Sequence, residues 1–266
     1  MKRRGILLGL VAVVVLGGAA PAGASGEKRA LLEEFLTAEP CYVQARGEFE
    51  LSSALDYRRP GGGWRLPVLV EYGITDRLEA EVEAGWLSVP GVDGDVRGPG
   101  DLEVGLHYAL RPDVATVALT LGADVGLPTG DEERGLGSGR ADVELFGIAG
   151  LRLGRGELHV TGMLEVGEEE AEPALNAAAV LPAADFRFTL EANLSRGGAA
   201  AWPDGSPEDA APADDAEEED VSLVVTPGLF FRPGPEFELG IGVPVGLTEA
   251  APDWGIVGRV TVELEF

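Results

Sequence analysis

From residue 46 onward the chain repeats one pattern: about ten residues of strict apolar–polar alternation, then a turn. Residues 78–86 show it best. Leu78, Ala80, Val82, Ala84 and Trp86 share one parity, while Glu79, Glu81, Glu83 and Gly85 share the other. A period of two makes a β-strand with one apolar and one polar face; on a helix the same glutamates would scatter around the whole circumference. Twelve such segments follow one another, at 46–57, 64–72, 78–86, 101–110, 115–127, 142–152, 156–166, 175–181, 185–196, 221–232, 236–247 and 255–266.

The connections alternate as well. Residues 73–77, 111–114, 153–155, 182–184 and 233–235 are short turns. Residues 58–63, 87–100, 128–141, 167–174, 197–220 and 248–254 are longer. An even number of strands with short turns at one end and long loops at the other is the pattern of an all-β, antiparallel, up-and-down transmembrane β-barrel with periplasmic turns and extracellular loops. The aromatics played no part in placing the strands, and they form two bands. Tyr57, Trp64, Trp86 and Trp254 fall at the long-loop ends. Phe49, Tyr72, Tyr108, Phe186, Phe188, Phe231, Phe237 and Phe266 fall at the short-turn ends. Aromatic girdles at two lipid–water interfaces require this distribution, whereas a soluble sandwich would hold its aromatics mid-strand.

Composition fits the same geometry. The chain of 266 residues carries a formal charge of −26 yet is 45% hydrophobic. In a barrel the two kinds of residue occupy opposite faces of each strand. The charge also excludes a nucleic-acid partner, because phosphate binding needs clustered Lys and Arg. Cys41 is the single cysteine, which excludes an intramolecular disulfide and leaves no Cys-based zinc site. No cofactor is expected.

The amino terminus reads as an export signal. Lys2, Arg3 and Arg4 precede an apolar stretch from Gly5 to Gly18, and Ala22-Gly23-Ala24 supplies the small-x-small cleavage pattern. Residues 1–24 are therefore expected to be a Sec-type signal peptide cut near Ala24. Its loss takes the net charge from −26 to −29. Residues 25–45 are expected to form an N-terminal periplasmic segment. A short helix is read over 27–39, where Leu31, Leu32, Phe35 and Leu36 are apolar. The alternative placement for 25–45 is inside the barrel, because twelve strands enclose only a modest interior. The last strand alternates to its end and stops at Phe266, the kind of terminus that the barrel assembly machinery recognises in outer-membrane proteins.

Several stretches resemble a bacterial family of outer-membrane transporters linked to the phenol meta-degradation pathway. They are Glu71-Tyr72-Gly73-Ile74-Thr75-Asp76-Arg77-Leu78; Gly100-Asp101-Leu102-Glu103-Val104-Gly105-Leu106; Leu127-Pro128-Thr129-Gly130-Asp131 with Gly135-Leu136-Gly137-Ser138-Gly139; and Ala251-Pro252-Asp253-Trp254-Gly255. The resemblance runs from about residue 47 to 266. It implies an outer-membrane β-barrel with a transport role, and it names no particular solute and no functional residues. The acidic run 204–220 and the presence of only two lysines, Lys2 and Lys28, depart from the family pattern.

If the apolar parity faces lipid, the other parity faces inward. The expected lumen-lining residues are Glu71, Glu79, Glu81, Glu83, Asp101, Glu103, His107, Asp124, Asp142, Glu144, Arg152, Glu165, Arg187, Glu191 and Arg259. Asp56, Arg65, Glu157, His159 and Glu238 share that face. Acids outnumber bases among them, so a conducting pore is expected to prefer cations. Barrel closure should bring Glu48 and Glu50 of the first strand beside Glu263 and Glu265 of the last. Such a cluster of four either stays solvated at the rim or recruits a metal cation. The run 204–220 lacks the glycine and ligand spacing of an EF-hand and reads as a solvated extracellular loop.

Three functions stay open at this level. The first is passive passage of a small solute, aromatic or hydrophobic compounds included. The second is a closed or structural barrel in outer-membrane lipid. The third is an outer-membrane lipid hydrolase, which needs a nucleophile beside His107 or His159; no serine stands in an obvious pattern with either.

Overall fold

The structure, a computed structural model, describes residues 31–60, 62–91, 94–112, 117–167, 171–196, 221–234 and 236–265, and of Glu265 the backbone only. The signal-peptide reading over 1–24, the acidic run 204–220 and Phe266 lie outside the described residues.

The strands are β1 (Glu48–Arg59), β2 (Trp64–Thr75), β3 (Leu78–Val89), β4 (Val96–Arg111), β5 (Val117–Leu127), β6 (Asp142–Leu153), β7 (Gly156–Val166), β8 (Ala171–Ala183), β9 (Phe186–Arg196), β10 (Val221–Gly234), β11 (Phe237–Gly242), β12 (Val245–Gly246) and β13 (Trp254–Glu265). From β1 to β11 each strand pairs antiparallel with the next, β11 and β12 both pair with β10 and β13, and β1 closes on β13 from Glu48 opposite Glu265 to Arg59 opposite Trp254. The result is a closed antiparallel barrel of twelve spans. Among the described residues no helix is long and apolar enough to cross a membrane.

One span differs from its sequence reading. The expected eleventh strand, 236–247, is split into β11 and β12 by Val243 and Pro244. Pro244 has no N–H to donate, so the ladder to its neighbours breaks there. Two flanking bonds bridge the gap: Val243 N–H to Pro227 O at 3.2 Å and Gly255 N–H to Pro244 O at 2.8 Å. The β3–β4 ladder carries a second irregularity, with more residues on β4 than on β3 between Ala84 opposite Leu102 and Trp86 opposite Pro99.

The outer surface is apolar. Leu51, Leu55, Val82, Leu106, Leu121, Leu239 and Ile241 are all exposed. A band of large exposed apolar side chains on every span is incompatible with water as the sole solvent. Tyr72, Trp86, Tyr108, Phe186, Phe188, Phe231, Phe237 and Trp254 are exposed on the same surface. Phe49 stands opposite Tyr72, and Tyr57 stands opposite Trp64 with its ring 6.3 Å from that of Trp254.

The interior is filled at the short-turn end by residues 31–45. These side chains are the apolar centre of the molecule. Leu32, Phe35, Leu36 and Ala38 pack on inward-facing Ala178, Val180, Phe230 and Val257. Cys41 packs on Ala118, Phe146 and Ile148. Burying each large apolar side chain contributes about 1.5–3 kcal/mol. This corrects the helix read over 27–39 and follows the alternative placement given for 25–45. No helix forms over the described part of 27–39, and the described part of 25–45 lies inside the barrel instead of forming a separate periplasmic segment. The physical reason is that the apolar residues 31, 32, 35 and 36 meet wall contacts on several sides, which an extended, irregular path serves and a single helical stripe does not.

Candidate functional site

The inner segment enters at the short-turn end, rises to mid-barrel and returns. Near its start, Arg187 of β9 donates to Leu31 O at 3.1 Å. Glu33 pairs with Arg232, and Arg232 also meets Glu238 at 2.6 Å. Glu34 pairs with Arg259. At the top of the rise, Glu191 accepts from Leu36 N–H at 3.2 Å, from Thr37 N–H at 2.6 Å and from Thr37 Oγ1 at 2.9 Å. Asn193 Nδ2 donates to Thr37 O at 2.8 Å. On the way down, Cys41 N–H donates to His159 Nδ1 at 3.0 Å, leaving His159 Nε2–H to face Glu157 at 3.5 Å. Gln44 N–H donates to Glu79, and Gln44 Nε2 to Glu50 at 2.9 Å.

Glycines in the wall receive the segment. A Cβ on Gly242 would stand 2.4 Å from Leu36 Cδ1, and one on Gly228 would stand 2.5 Å from the same atom. Leu36 thus occupies a notch that only glycine leaves open. At the exit, a Cβ on Gly73 would overlap Ala45 O at 1.9 Å.

Above the segment, toward the long-loop end, a vestibule encloses about 1330 Å³ of empty space, its open mouth included. Its floor is Leu36, Thr37, Ala38 and Glu39. Nine carboxylates line it (Glu39, Asp56, Glu81, Glu83, Glu103, Asp124, Glu144, Glu165 and Glu172) against four guanidiniums, Arg58, Arg65, Arg196 and Arg259. The bases are not spread evenly. Arg58 pairs with Asp56 at 3.0 Å and Arg65 with Glu83 at 3.6 Å, both on the β1–β3 side. Across β4–β8 the ladder sets Asp124 opposite Glu144, Glu144 opposite Glu165 and Glu165 opposite Glu172. Glu83 stands opposite Glu103 at the start of this belt. Glu103, Glu144, Glu165 and Glu172 form no ion pair among the described residues. Strand pairing thus sets these carboxyls side by side in a row.

Below the belt, His107 joins the acids. Its Nδ1 lies 3.3 Å from Glu79, and its Nε2 lies 3.2 Å from Asp124 and 3.4 Å from Glu81. Both ring nitrogens face carboxylates, so both donate and the ring carries a charge. Within the inner segment, burial pushes the Glu39 carboxyl up to about 7; Glu81 and Asp124 add to the rise, while His107 and Arg259 oppose it. Burial likewise raises Glu34 and the Cys41 thiol.

The sequence-predicted residues thus fall into groups. Glu83, Glu103, Asp124, Glu144 and Glu165 face the vestibule, while Glu71 and Glu79 are buried at the level of the inner segment. Arg259 touches both, and Glu81 lines the vestibule beside His107. Arg152 pairs with Glu157 near the short turns. Arg187 holds Leu31, and Glu191 holds Leu36 and Thr37, so neither lines a free passage. Asp142 is half-buried at the long-loop end, beside Gly126.

Asp101 departs from its expected role. The β4 irregularity turns it toward the loop 128–141, where it accepts from Gly130 N–H at 2.7 Å, Ser138 N–H at 2.7 Å and Ser138 Oγ at 2.8 Å. Bulges commonly re-aim a side chain in this way. Two of the motifs quoted above, Gly100–Leu106 and Gly135–Gly139, thereby meet at one carboxylate.

Strand closure places Glu48 opposite Glu265 and Glu50 opposite Glu263. The carboxylates within ligating distance of Glu50 are Glu34 and Glu71. Residues missed from sequence include Glu34, Glu39 and Gln44, which carry no periodic signal, and Arg58 and Glu172. The last two sit just beyond strands read as 46–57 and 175–181; extending the alternation by one pair at each would have found Arg58 and brought Glu172 within reach.

No family model matches the chain, and no curated protein matches it in sequence. Solved structures do. The COG4313 outer membrane channel from Pseudomonas putida F1 aligns at TM-score 0.66 and 14% identity, covering 85% of this chain and all of that one. The NanC porin aligns at 0.55 and 10%, covering 81% and 100%. The KdgM porin, solved with disordered oligogalacturonate, aligns at 0.53 and 10%, covering 82% and 99%. At such identities the likeness is one of fold: this chain has the architecture of outer-membrane channel and porin barrels.

Proposed function

We propose that this chain is a passive outer-membrane channel for small solutes, with cations preferred over anions. The observation that carries the reading is the belt Glu103, Asp124, Glu144, Glu165 and Glu172 across five consecutive strands of the vestibule. A carboxylate row in a low-dielectric mouth concentrates cations and repels anions. The apolar exterior, the aromatic rims and the likeness to channel and porin barrels support insertion in the outer membrane. In this reading residues 1–24 direct export, the barrel assembly machinery handles the terminal strand ending at Phe266, the short turns face the periplasm and the long loops face outward.

The test is the reversal potential of the refolded chain in planar bilayers under a KCl gradient. Cation selectivity is expected, and anion selectivity would sink the proposal. Liposome swelling with small cationic, neutral and anionic solutes, aromatic ones among them, ranks the substrates.

The inner segment favours one competing reading, a closed barrel, because residues 31–45 fill the short-turn end. Absence of both conductance and swelling would establish it. The hydrolase reading has less support, since His107 and His159 are held by carboxylates and by Cys41 N–H, with no serine among their polar contacts in the described residues.

A further inference from the structure

Glu50 of β1 and Glu71 of β2 stand directly opposite each other on the inward face. Like charges so placed repel. Glu34 of the inner segment comes down between them and Arg259, and each of the three glutamates offers an oxygen within 4.8 Å of the other two. Glu34, Glu50 and Glu71 are 2%, 0% and 5% exposed. Glu50 Oε1 and Glu71 Oε2 are sealed from solvent and meet no N–H or hydroxyl donor; the one hydrogen bond open to them is a proton shared between the two carboxyls. Burying an ionised carboxylate oxygen with no partner costs several kcal/mol, so such atoms call for a missing positive group.

Nearby charges do not supply it. With all groups ionised, the three carboxylates and Arg259 sum to −2. Arg232 is engaged by Glu33 and Glu238, and His107 by Glu79, Glu81 and Asp124, so each neighbouring base is already outnumbered by acids.

We propose that Glu34, Glu50 and Glu71 bind one divalent cation, calcium in preference to magnesium, which latches the inner segment to the barrel wall. One such ion brings the group to neutrality. Calcium accepts a cage of carboxylate oxygens, whereas magnesium dehydrates reluctantly and is seldom held without several waters. The cluster is sealed from solvent and built of carboxylate oxygens, which favours calcium. All three ligands are hard oxygen donors, and the ligand from the inner segment is the one that release of the segment would withdraw.

The experiment uses the full refolded chain in detergent, stripped with EDTA, titrated with CaCl2 and separately with MgCl2. Bound metal is counted after dialysis, and Cys41 labelling by a maleimide reports opening of the segment. The expected result is one calcium per chain, at least tenfold tighter than magnesium. Calcium should slow Cys41 labelling at least fivefold. Glu50→Gln and Glu71→Gln should each weaken uptake at least tenfold, while Glu48→Gln at the rim should leave it unchanged. Heat-modified migration on gels shows which variants are folded barrels.

No calcium uptake by the parent chain up to about 10 mM, beyond the weakest extracellular sites, would overturn the proposal. So would uptake that persists undiminished in both variants, because the metal would then sit on other acids. Should neither variant fold, protection of Cys41 in the parent chain decides: labelling unaffected by calcium rejects the latch, and the carboxylates then share protons. None of these readouts depends on ion conduction, so the latch and the channel reading stand or fall separately.

Discussion

At the residue scale, the chemistry is set by carboxylates whose surroundings differ sharply. Glu39 forms the floor of the vestibule, and burial, reinforced by Glu81 and Asp124, brings its carboxyl up to about 7. A carboxyl raised from its free value near 4.5 favours the docked, protonated form. Its contribution to docking is full below about pH 4.5 and disappears as pH rises through about 7. The inner segment should therefore hold more tightly at pH 5.5 than at pH 8. The measurement is Cys41 labelling, normalised to a free thiol at each pH. Glu39→Gln should flatten the profile across this window, and an unchanged profile would refute the assignment. Asp101 does a different job. Three donors converge on its carboxylate, and hydrogen bonds to a charged group contribute about 1.5–3 kcal/mol each. Asp101→Ala should free the loop 128–141 so that trypsin cuts after Arg134 or Arg140 several-fold faster while the barrel itself stays folded.

At the element scale, the inner segment occupies the short-turn end of the barrel. Wall glycines shape its seat beside the charged pairs. Leu36 fills the space beside Gly228 and Gly242, and a Cβ on Gly242 would approach it to 2.4 Å. Overpacking of this kind costs about 1–3 kcal/mol. Gly242→Val should displace the segment, speed Cys41 labelling and raise single-channel conductance. Deleting residues 31–44 should raise conductance further, because the described obstruction at the short-turn end is then gone. Equal conductance in the parent and the deletion would show that the segment does not close the passage. The wall nearby is also interrupted at Val243 and Pro244, where the ladder loses a donor.

At the scale of the whole molecule, charge is separated twice. Apolar side chains face outward and carboxylates inward. Around the vestibule, arginines pair with acids on β1–β3, whereas the acids of β4–β8 lack such partners. Ion selectivity from this belt must be screened by salt. The Debye length falls from about 10 Å at 0.1 M to about 3 Å at 1 M. The cation-to-anion permeability ratio should fall over the same range. Glu103→Gln, Glu144→Gln and Glu165→Gln combined should lower it at 0.1 M toward the value of the parent at 1 M. A ratio indifferent to both salt and the triple substitution would place selectivity elsewhere.

Sequence alone determined the barrel, its span count, its two unlike ends and its apolar outer face, because alternation is local: each residue's parity settles which face it takes once strands form. The same parity placed Glu103, Glu144 and Glu165 inward without knowledge of any neighbour. Only the tertiary structure decided what fills the interior. Residues 31–45 have no period to read, and their path follows from contacts with strands more than a hundred residues away, such as Leu36 with Glu191 and Cys41 with His159. Asp101 shows the same division in a single residue: its parity pointed inward, and one irregularity in β4, invisible to the alternation, made it the clamp of a loop.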